Sequence, residues 1–324
     1  ARREGFGETI ADSNRALDKG KYPKEALPYR MTVKGLFQSD PHDSRILKAF
    51  ALGLAVATRG FDHLRNRPTL EINARVNDDP HYKEQLFGGY VSPQPNSYDA
   101  KEQAVRKCED TFAVGDAVGM CRFDTKLFNS PTTPDCNDFA AQVSALTGVD
   151  LAGRDMDQIG RNITALERLL NFRFGLRVKD DTLPQRWFDE GNTAGPFKGE
   201  RIDRQEFEKL KARFYEITGL NREGLPKYEW HEQLARITTG FAVRVQVSNE
   251  MPGAPEHEFV IDEPVSNVIE LRVAMQRRYP EATDYLADRN LSVAVNGEMP
   301  LHGEKTVPVR SGDKVTLMTM ISGG

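Results

Sequence analysis

Three places in this 324-residue chain hold residue types whose spacing could do chemistry. The first is Asp116-Ala117-Val118-Gly119-Met120-Cys121. Its carboxylate can accept from amide-like N–H donors of a ligand, its glycine permits close backbone approach, and its cysteine can ligate a metal as thiolate. Taken alone, Cys121 reads first as a small buried hydrophobe. The second is His63, in Thr58-Arg59-Gly60-Phe61-Asp62-His63. Histidine as a residue type titrates at ~6.5, which suits it to proton transfer near neutral pH, although an isolated histidine is more often structural. The third is Gly323-Gly324, which follows an apolar alternating run. Two residues without Cβ make a thin, flexible tail that can thread into a narrow pocket, whereas a Gly-Gly inside a chain is usually a turn.

The elements that must carry these residues fall into two grammars. From 8 to 238 the periodicity is helical, with helices expected over 8–17, 45–59, 99–118, 139–147, 156–171 and 203–218. Ser44 is the expected cap of the second, and Asp203 with Glu206 forms a capping-box pattern at the last. The stretch 67–97, rich in Asn, Asp, Pro and Gly, reads as a long irregular segment. The charged stretches 201–211 and Arg277-Arg278 read as helix surfaces. After Thr239-Gly240 the pattern alternates: strands are expected over 241–248, 258–261, 291–295, 306–309 and 314–321, with a helix over 265–279. The expected class is α+β, a multihelical domain over 1–238 followed by a small sheet wrapped on one helix over 240–324.

Composition excludes several roles. Forty-four Lys and Arg against 48 Asp and Glu give a net charge of -4, so no basic field points to nucleic acid. No apolar run approaches the ~18 residues of a membrane span. Three cysteines with no C-x-x-C pair argue against a disulfide framework and for a reducing, cytoplasmic setting. Cys108 and Cys136 match no ligand position, and His42 and His81 sit in polar segments expected to be solvated. The start Ala1-Arg2-Arg3, without Met, reads as a cut beginning of a longer protein.

Four stretches in order resemble the tungsten-containing aldehyde:ferredoxin oxidoreductases. Asp116 to Cys121 is similar to that family's pterin-binding Asp-x-x-Gly-Leu-Cys motif, with Met120 in place of Leu. Lys34-Gly35-Leu36 with His42-Asp43-Ser44-Arg45, the Thr58–His63 stretch with Arg65, and Glu167-Arg168…Asn171…Arg173 with Asp180-Asp181…Leu183-Pro184 are similar to three further segments. The resemblance implies that Asp116, Gly119 and Met120 lie against one of two pterins. It also implies that Cys121 is one ligand of a 4Fe-4S cluster and that His63 is a catalytic-pocket residue. Phe61, Phe37 and Ser44 depart from the usual Gly, Glu and Pro near the expected pocket. The second half, with Val295-Asn296-Gly297-Glu298, Ser311-Gly312-Asp313 and the Gly-Gly end, resembles the ubiquitin-like β-grasp sulfur carriers of molybdopterin and thiazole synthesis. There the tail would become a thiocarboxylate after adenylation.

The family's C-x2-C-x3-C run is absent from the sequence, and the resemblance identifies no counterpart of its second pterin motif. The remaining cluster ligands are therefore expected on an N-terminal half or a partner subunit. Two functions follow as expectations. In one, the chain is part of a bis-pterin (tungstopterin, with tungsten or molybdenum) aldehyde oxidoreductase. That enzyme forms carboxylic acids and passes electrons through the cluster to ferredoxin or another electron-transfer protein, and it carries a fused sulfur carrier. In the other, the chain is a carrier or assembly protein that loads sulfur with an adenylating sulfur-transfer enzyme; a β-grasp domain that merely keeps its tail is the plain alternative. A homo-oligomer is compatible with both.

Overall fold

The computed structural model describes residues 3–13, 16, 19–38, 43–128, 130–254, 256–288, 290–299 and 307–319. The chain divides into two compact units, residues 1–218 and 219–324. That division falls one helix earlier than the change of sequence pattern at 239–240.

The first unit is built from α1 (Phe6–Asp12), a two-residue hairpin β1 (Thr32–Val33) and β2 (Leu36–Phe37), α2 (Lys48–Val56), and the short α3 (Ala74–Asn77) and α4 (Pro80–Phe87). It continues with α5 (Lys101–Ala117), α6 (Cys136–Thr147), α7 (Gly153–Arg173), α8 (Gln185–Asp189) and α9 (Arg204–Ile217). α5 is the hub, packed against α2, α7 and α9. Ala104, Val105, Cys108, Phe112 and Val114 recur at helical spacing on it and are fully buried, as their pattern predicts. α5 and α7 approach closely at Gly160, where a Cβ would lie 2.1 Å from the Asp110 carbonyl oxygen. Only glycine permits that contact. Asp203 caps α9 by accepting from the Glu206 backbone N–H.

Three expectations change here. α2 begins at Lys48, not at a Ser44 cap; Ser44 is buried and its hydroxyl makes no hydrogen bond. The 67–97 segment is not structureless. It holds α3 and α4, capped by Asn73 and Asp79, and is tied to the hub by buried charge. Lys101 donates to the Ser92 carbonyl at 2.9 Å and lies 3.7 Å from Glu71, whose own carbonyl accepts from Lys83 at 2.8 Å. Lys211, placed on a solvated surface by its charge run, is instead buried and donates to the Asp181 carbonyl. His81 lies on α4, exposed, beside Gln85, and His42 is outside the described residues.

The second unit contains α10 (Tyr228–Thr238), β3 (Val243–Val247), β4 (Glu258–Ile261), α11 (Val268–Arg278), α12 (Thr283–Ala287), β5 (Leu291–Val295) and β6 (Lys314–Thr319). The sheet order is β4-β3-β6-β5, with β3 and β6 parallel and the other pairs antiparallel. This is the expected β-grasp arrangement. The strand expected at 306–309 is reduced to a bridge between Pro308 and Asn267, and residue 306 is outside the described residues, as is Gly323-Gly324. Val243, Val245 and Val247 alternate inward.

The outer side is not bare. Val260 lies opposite Arg244 in register and is buried with Ala235, Ala242 and Tyr228. Arg244 stacks on the Tyr228 ring at 4.2 Å and pairs with Glu232 at 2.9 Å. α10 therefore covers the β3–β4 part of the outer face, which is why it belongs to this unit. Arg278, read from sequence as a surface charge, is buried against Asp262 at 3.0 Å; the second Asp262 oxygen faces His231 of α10 at 3.4 Å.

Candidate functional site: the end of α5 and the His63 turn

The Asp-x-x-Gly-x-Cys spacing is the signature of a helix stop. α5 ends at Ala117, and Gly119 follows in the left-handed region at φ +77°. The Met120 N–H donates to the Gly115 carbonyl at 2.8 Å and the Gly119 N–H to the Asp116 carbonyl at 3.1 Å. These are the two bonds of a Schellman motif, and the side chain of Met120 completes it by packing on the cluster that includes Val114. Met120, half-buried, thus packs partly on the core; the resemblance places it against a cofactor. Gly119 has no atom within 4 Å of where a Cβ would stand, so the loop faces open space. Cys121 follows directly and is the exposed member of the three cysteines. Cys108 and Cys136 are buried, and burial pushes the first thiol far up and the second to about 12.

Asp116 sits in the last turn of α5, where the helix dipole disfavours a carboxylate. Two arginines answer that. Arg65 reaches one carboxylate oxygen at 3.2 Å and Arg122 the other at 2.5 Å. The Asp116 side chain is still 46% exposed, so lone pairs remain for a ligand. Arg122 also donates to the Phe112 carbonyl at 3.0 Å and lies over the Phe112 ring.

His63 is held in a tight turn in which Asp62 N–H bonds to Gly60 O and Arg65 N–H to Asp62 O. Its ring stands 6.3 Å from that of Phe128, which is 5.1 Å from Phe123, two residues past Cys121. The structure thus brings the His63 turn and the Asp116–Cys121 loop to one place. Arg65, Arg122 and Glu167 were not singled out from sequence as site residues. Arg65 and Glu167 stood inside the resembling stretches, and that position was the available signal.

Behind this surface lies a buried charge network. The turn Lys34-Gly35 has positive φ at both positions, 50° and 78°, the type I′ geometry of a two-residue hairpin. It delivers the Lys34 ammonium to Asp181 at 2.6 Å, with a second bond to the Ala55 carbonyl. Arg168 meets the other Asp181 oxygen at 3.0 Å and the Val56 carbonyl at 2.7 Å, and the Tyr215 hydroxyl donates to Asp181 at 2.6 Å. Burial alone would raise the Asp181 carboxyl; Lys34 and Arg168 overcome it and hold the group below the usual carboxylate range. Asn171 donates to the Thr58 carbonyl at 2.6 Å. Lys34, Thr58, Arg168, Asn171 and Asp181, drawn from three resembling stretches, are therefore scaffold.

With this geometry established, comparison with known proteins is decisive. A family model described as "Aldehyde ferredoxin oxidoreductase, domains 2 & 3" matches residues 1–235. The chain belongs to that family. Within it, the tungsten-containing aldehyde ferredoxin oxidoreductase of Pyrococcus furiosus is 31% identical over 235 residues, 72% of this chain and 34% of that protein. The corresponding protein of Thermococcus kodakarensis is 29% identical over 236 residues, 72% of this chain and 35% of its own length. The chain spans about a third of the length of these curated relatives. The WOR-like subunit of the Pyrococcus furiosus aliphatic sulfonate oxidoreductase is 30% identical over 125 residues, 37% of this chain and 19% of that subunit. A solved structure, the active site complex BamBC of benzoyl coenzyme A reductase with 1,5-dienoyl-CoA, superposes with a TM-score of 0.50 at 18% identity, over 72% of this chain and 36% of that one. It supports the fold alone. A ThiS family model matches residues 247–324.

For an aldehyde ferredoxin oxidoreductase family chain, one departure acquires a reason and a second is located. Phe61 is buried and packs edge-on against Trp187 at 5.3 Å, so it fills core. Phe37 is exposed at the end of the hairpin. Among the described residues no group of three or more His, Cys, Asp or Glu side chains is placed to hold a metal ion. The loop offers one exposed thiol and one half-exposed, arginine-paired carboxylate, donor types that a metal cluster and a pterin can use. Among the described residues no helix is long and apolar enough to cross a membrane.

Glu109 on α5 is buried between Arg168, Asp181 and Glu167, and burial raises its carboxyl to about 7. The folded state then binds a proton that the unfolded chain has released above its ordinary 4.5, so stability falls as pH rises from about 4.5 to 7. Replacing Glu109 with Gln is expected to flatten that fall, by up to ~1.4 kcal/mol per pH unit. Urea midpoints measured across this pH range for both proteins check it; parallel curves contradict it.

Proposed function

We propose that this chain supplies the helical part of a bis-pterin aldehyde oxidoreductase that uses tungsten or molybdenum. The observation that carries the reading is the family match over 1–235, within which one exposed thiol, Cys121, follows the Schellman loop. When bound, the metallopterin supplies the two-electron chemistry that turns an aldehyde into a carboxylic acid, and a 4Fe-4S cluster supplies the electron exit toward ferredoxin. The residues of this chain act around those groups. Asp116 accepts from pterin N–H donors, and Gly119 leaves room for close approach. Cys121 provides a single thiolate to a cluster completed by an N-terminal half or partner subunit. His63, in its turn beside Phe128, holds or moves a proton at its imidazole.

The test uses the native protein with whatever polypeptide co-purifies. Tungsten or molybdenum, iron and pterin are expected, with aldehyde-dependent dye reduction. Cys121→Ala should abolish the reduced-cluster paramagnetic signal, while His63→Gln keeps that signal and lowers turnover by about 10²–10⁴-fold. A native protein with neither metal nor iron would overturn the reading.

A second reading is favoured by the ThiS match over 247–324 and the β-grasp sheet order. In it the second unit carries sulfur as a thiocarboxylate on Gly324, made by an adenylating sulfur-transfer enzyme. Intact mass after incubation with such an enzyme, ATP and a sulfur donor should show one carboxylate oxygen replaced by sulfur; an unchanged mass removes this reading.

A further inference from the structure

We propose that Arg65 is a positioning residue that locks the Asp116–Cys121 loop in register with the His63 turn; this deepens the oxidoreductase reading and rests on it. Arg65 lies two residues from His63, in the turn closed by its own N–H bond to Asp62 O. Its guanidinium splits between two carboxylates from two other helices, Asp116 at 3.2 Å on α5 and Glu167 at 2.5 Å on α7. Glu167 is itself fixed by the Thr58 hydroxyl, and the Thr58 carbonyl by Asn171. The line from Asn171 through Thr58, Glu167 and Arg65 to Asp116 is therefore continuous. A guanidinium presents its donors in a rigid planar fork that fixes two carboxylates from different helices in one geometry, whereas an ammonium's rotatable donors hold them less rigidly.

The consequence is local. Asp116 is an acid at a helix C-terminus, a place that repels it. Arg122 on its own leaves one carboxylate oxygen without a cation, and that oxygen is the one turned to the His63 side through Arg65. Removing Arg65 frees the last turn of α5 to fray and uncouples the loop that ends in Cys121 from the turn that carries His63. Glu167 acts only through Arg65: it holds the fork, not the loop.

The experiment is a double-mutant cycle of Arg65→Ala and Glu167→Ala in the full chain, with Arg65→Lys as the conservative variant. Its readout is amide exchange of residues 117–121, centred on the Met120 N–H bonded to Gly115 O. Loss of one charge-assisted bond predicts about tenfold or faster exchange there in Arg65→Ala. Arg65→Lys should recover part of the protection, and the double variant should exchange no faster than Arg65→Ala alone. If Arg65→Ala fails to fold, Arg65→Lys against the native chain carries the same comparison. Unchanged exchange, or effects of Arg65 and Glu167 that simply add, overturns the proposal. In the assembled enzyme, Arg65→Ala should also lower the pterin bound per chain. A native protein that binds no pterin while the exchange results hold would fault the oxidoreductase reading and leave the clamp standing.

Discussion

A carboxylate removed from water must be met by charge and hydrogen bonds on every side, and Asp181 is where the helical unit meets that demand. Lys34, Arg168 and Tyr215 converge on its two oxygens from the hairpin turn, α7 and α9, while Lys211 takes its carbonyl. Lys34 and Arg168 also reach back to the carbonyls of Ala55 and Val56 at the end of α2. Such a cluster adds little net stability compared with an apolar core, yet leaving any member unpaired is expensive. It therefore acts as a registration device. It ties together the hairpin, the end of α2, α7 and α9, the elements next to Thr58 and the His63 turn, which follow directly after α2.

The site grown on this scaffold brings the end of α5 and the His63 turn together. Its loop is a helix stop whose glycine is required by a left-handed backbone, whose methionine is half-buried against the core, and whose aspartate and cysteine are left exposed. The same four positions thus serve folding and presentation together. This explains why a motif that looks purely functional is also a sound way to end a seventeen-residue helix. In the second unit, α10 covers part of the outer face of the β-grasp sheet, so the last helix matched by the oxidoreductase family model packs with the carrier-like strands rather than apart from them.

Much of this was legible in the sequence. The long helices α5, α7 and α9 and strands β4 and β5 stand at or near their expected positions, because strong periodicity reports a buried face directly. The resemblance located Asp116, Gly119, Cys121 and His63, and the structure gathers them. What sequence could not show was partnership at a distance. Lys211 and Arg278 look like solvated charges in a linear reading and become buried when Asp181 and Asp262 arrive from elsewhere in the chain. Ser44 has the chemistry of a cap, but the chain runs on to Leu47 before turning helical. The 67–97 segment looks unstructured because its helices are short; their local caps Asn73 and Asp79 are backed by buried contacts among Glu71, Lys83 and Lys101 that a linear reading does not show. Arg65 and Glu167 were visible as letters in motifs; that they bond to each other was not.

The claim on which the rest depends is that Asp181 registers the helical unit, and replacing it with the nearly isosteric Asn tests this directly. Asn keeps the volume and removes the anion that Lys34 and Arg168 share. Urea unfolding of the full chain should show the helical unit destabilised by about 3–5 kcal/mol, the loss expected when a buried ion pair is broken from one side. A change within about 0.5 kcal/mol, the range of an ordinary surface substitution, would contradict it.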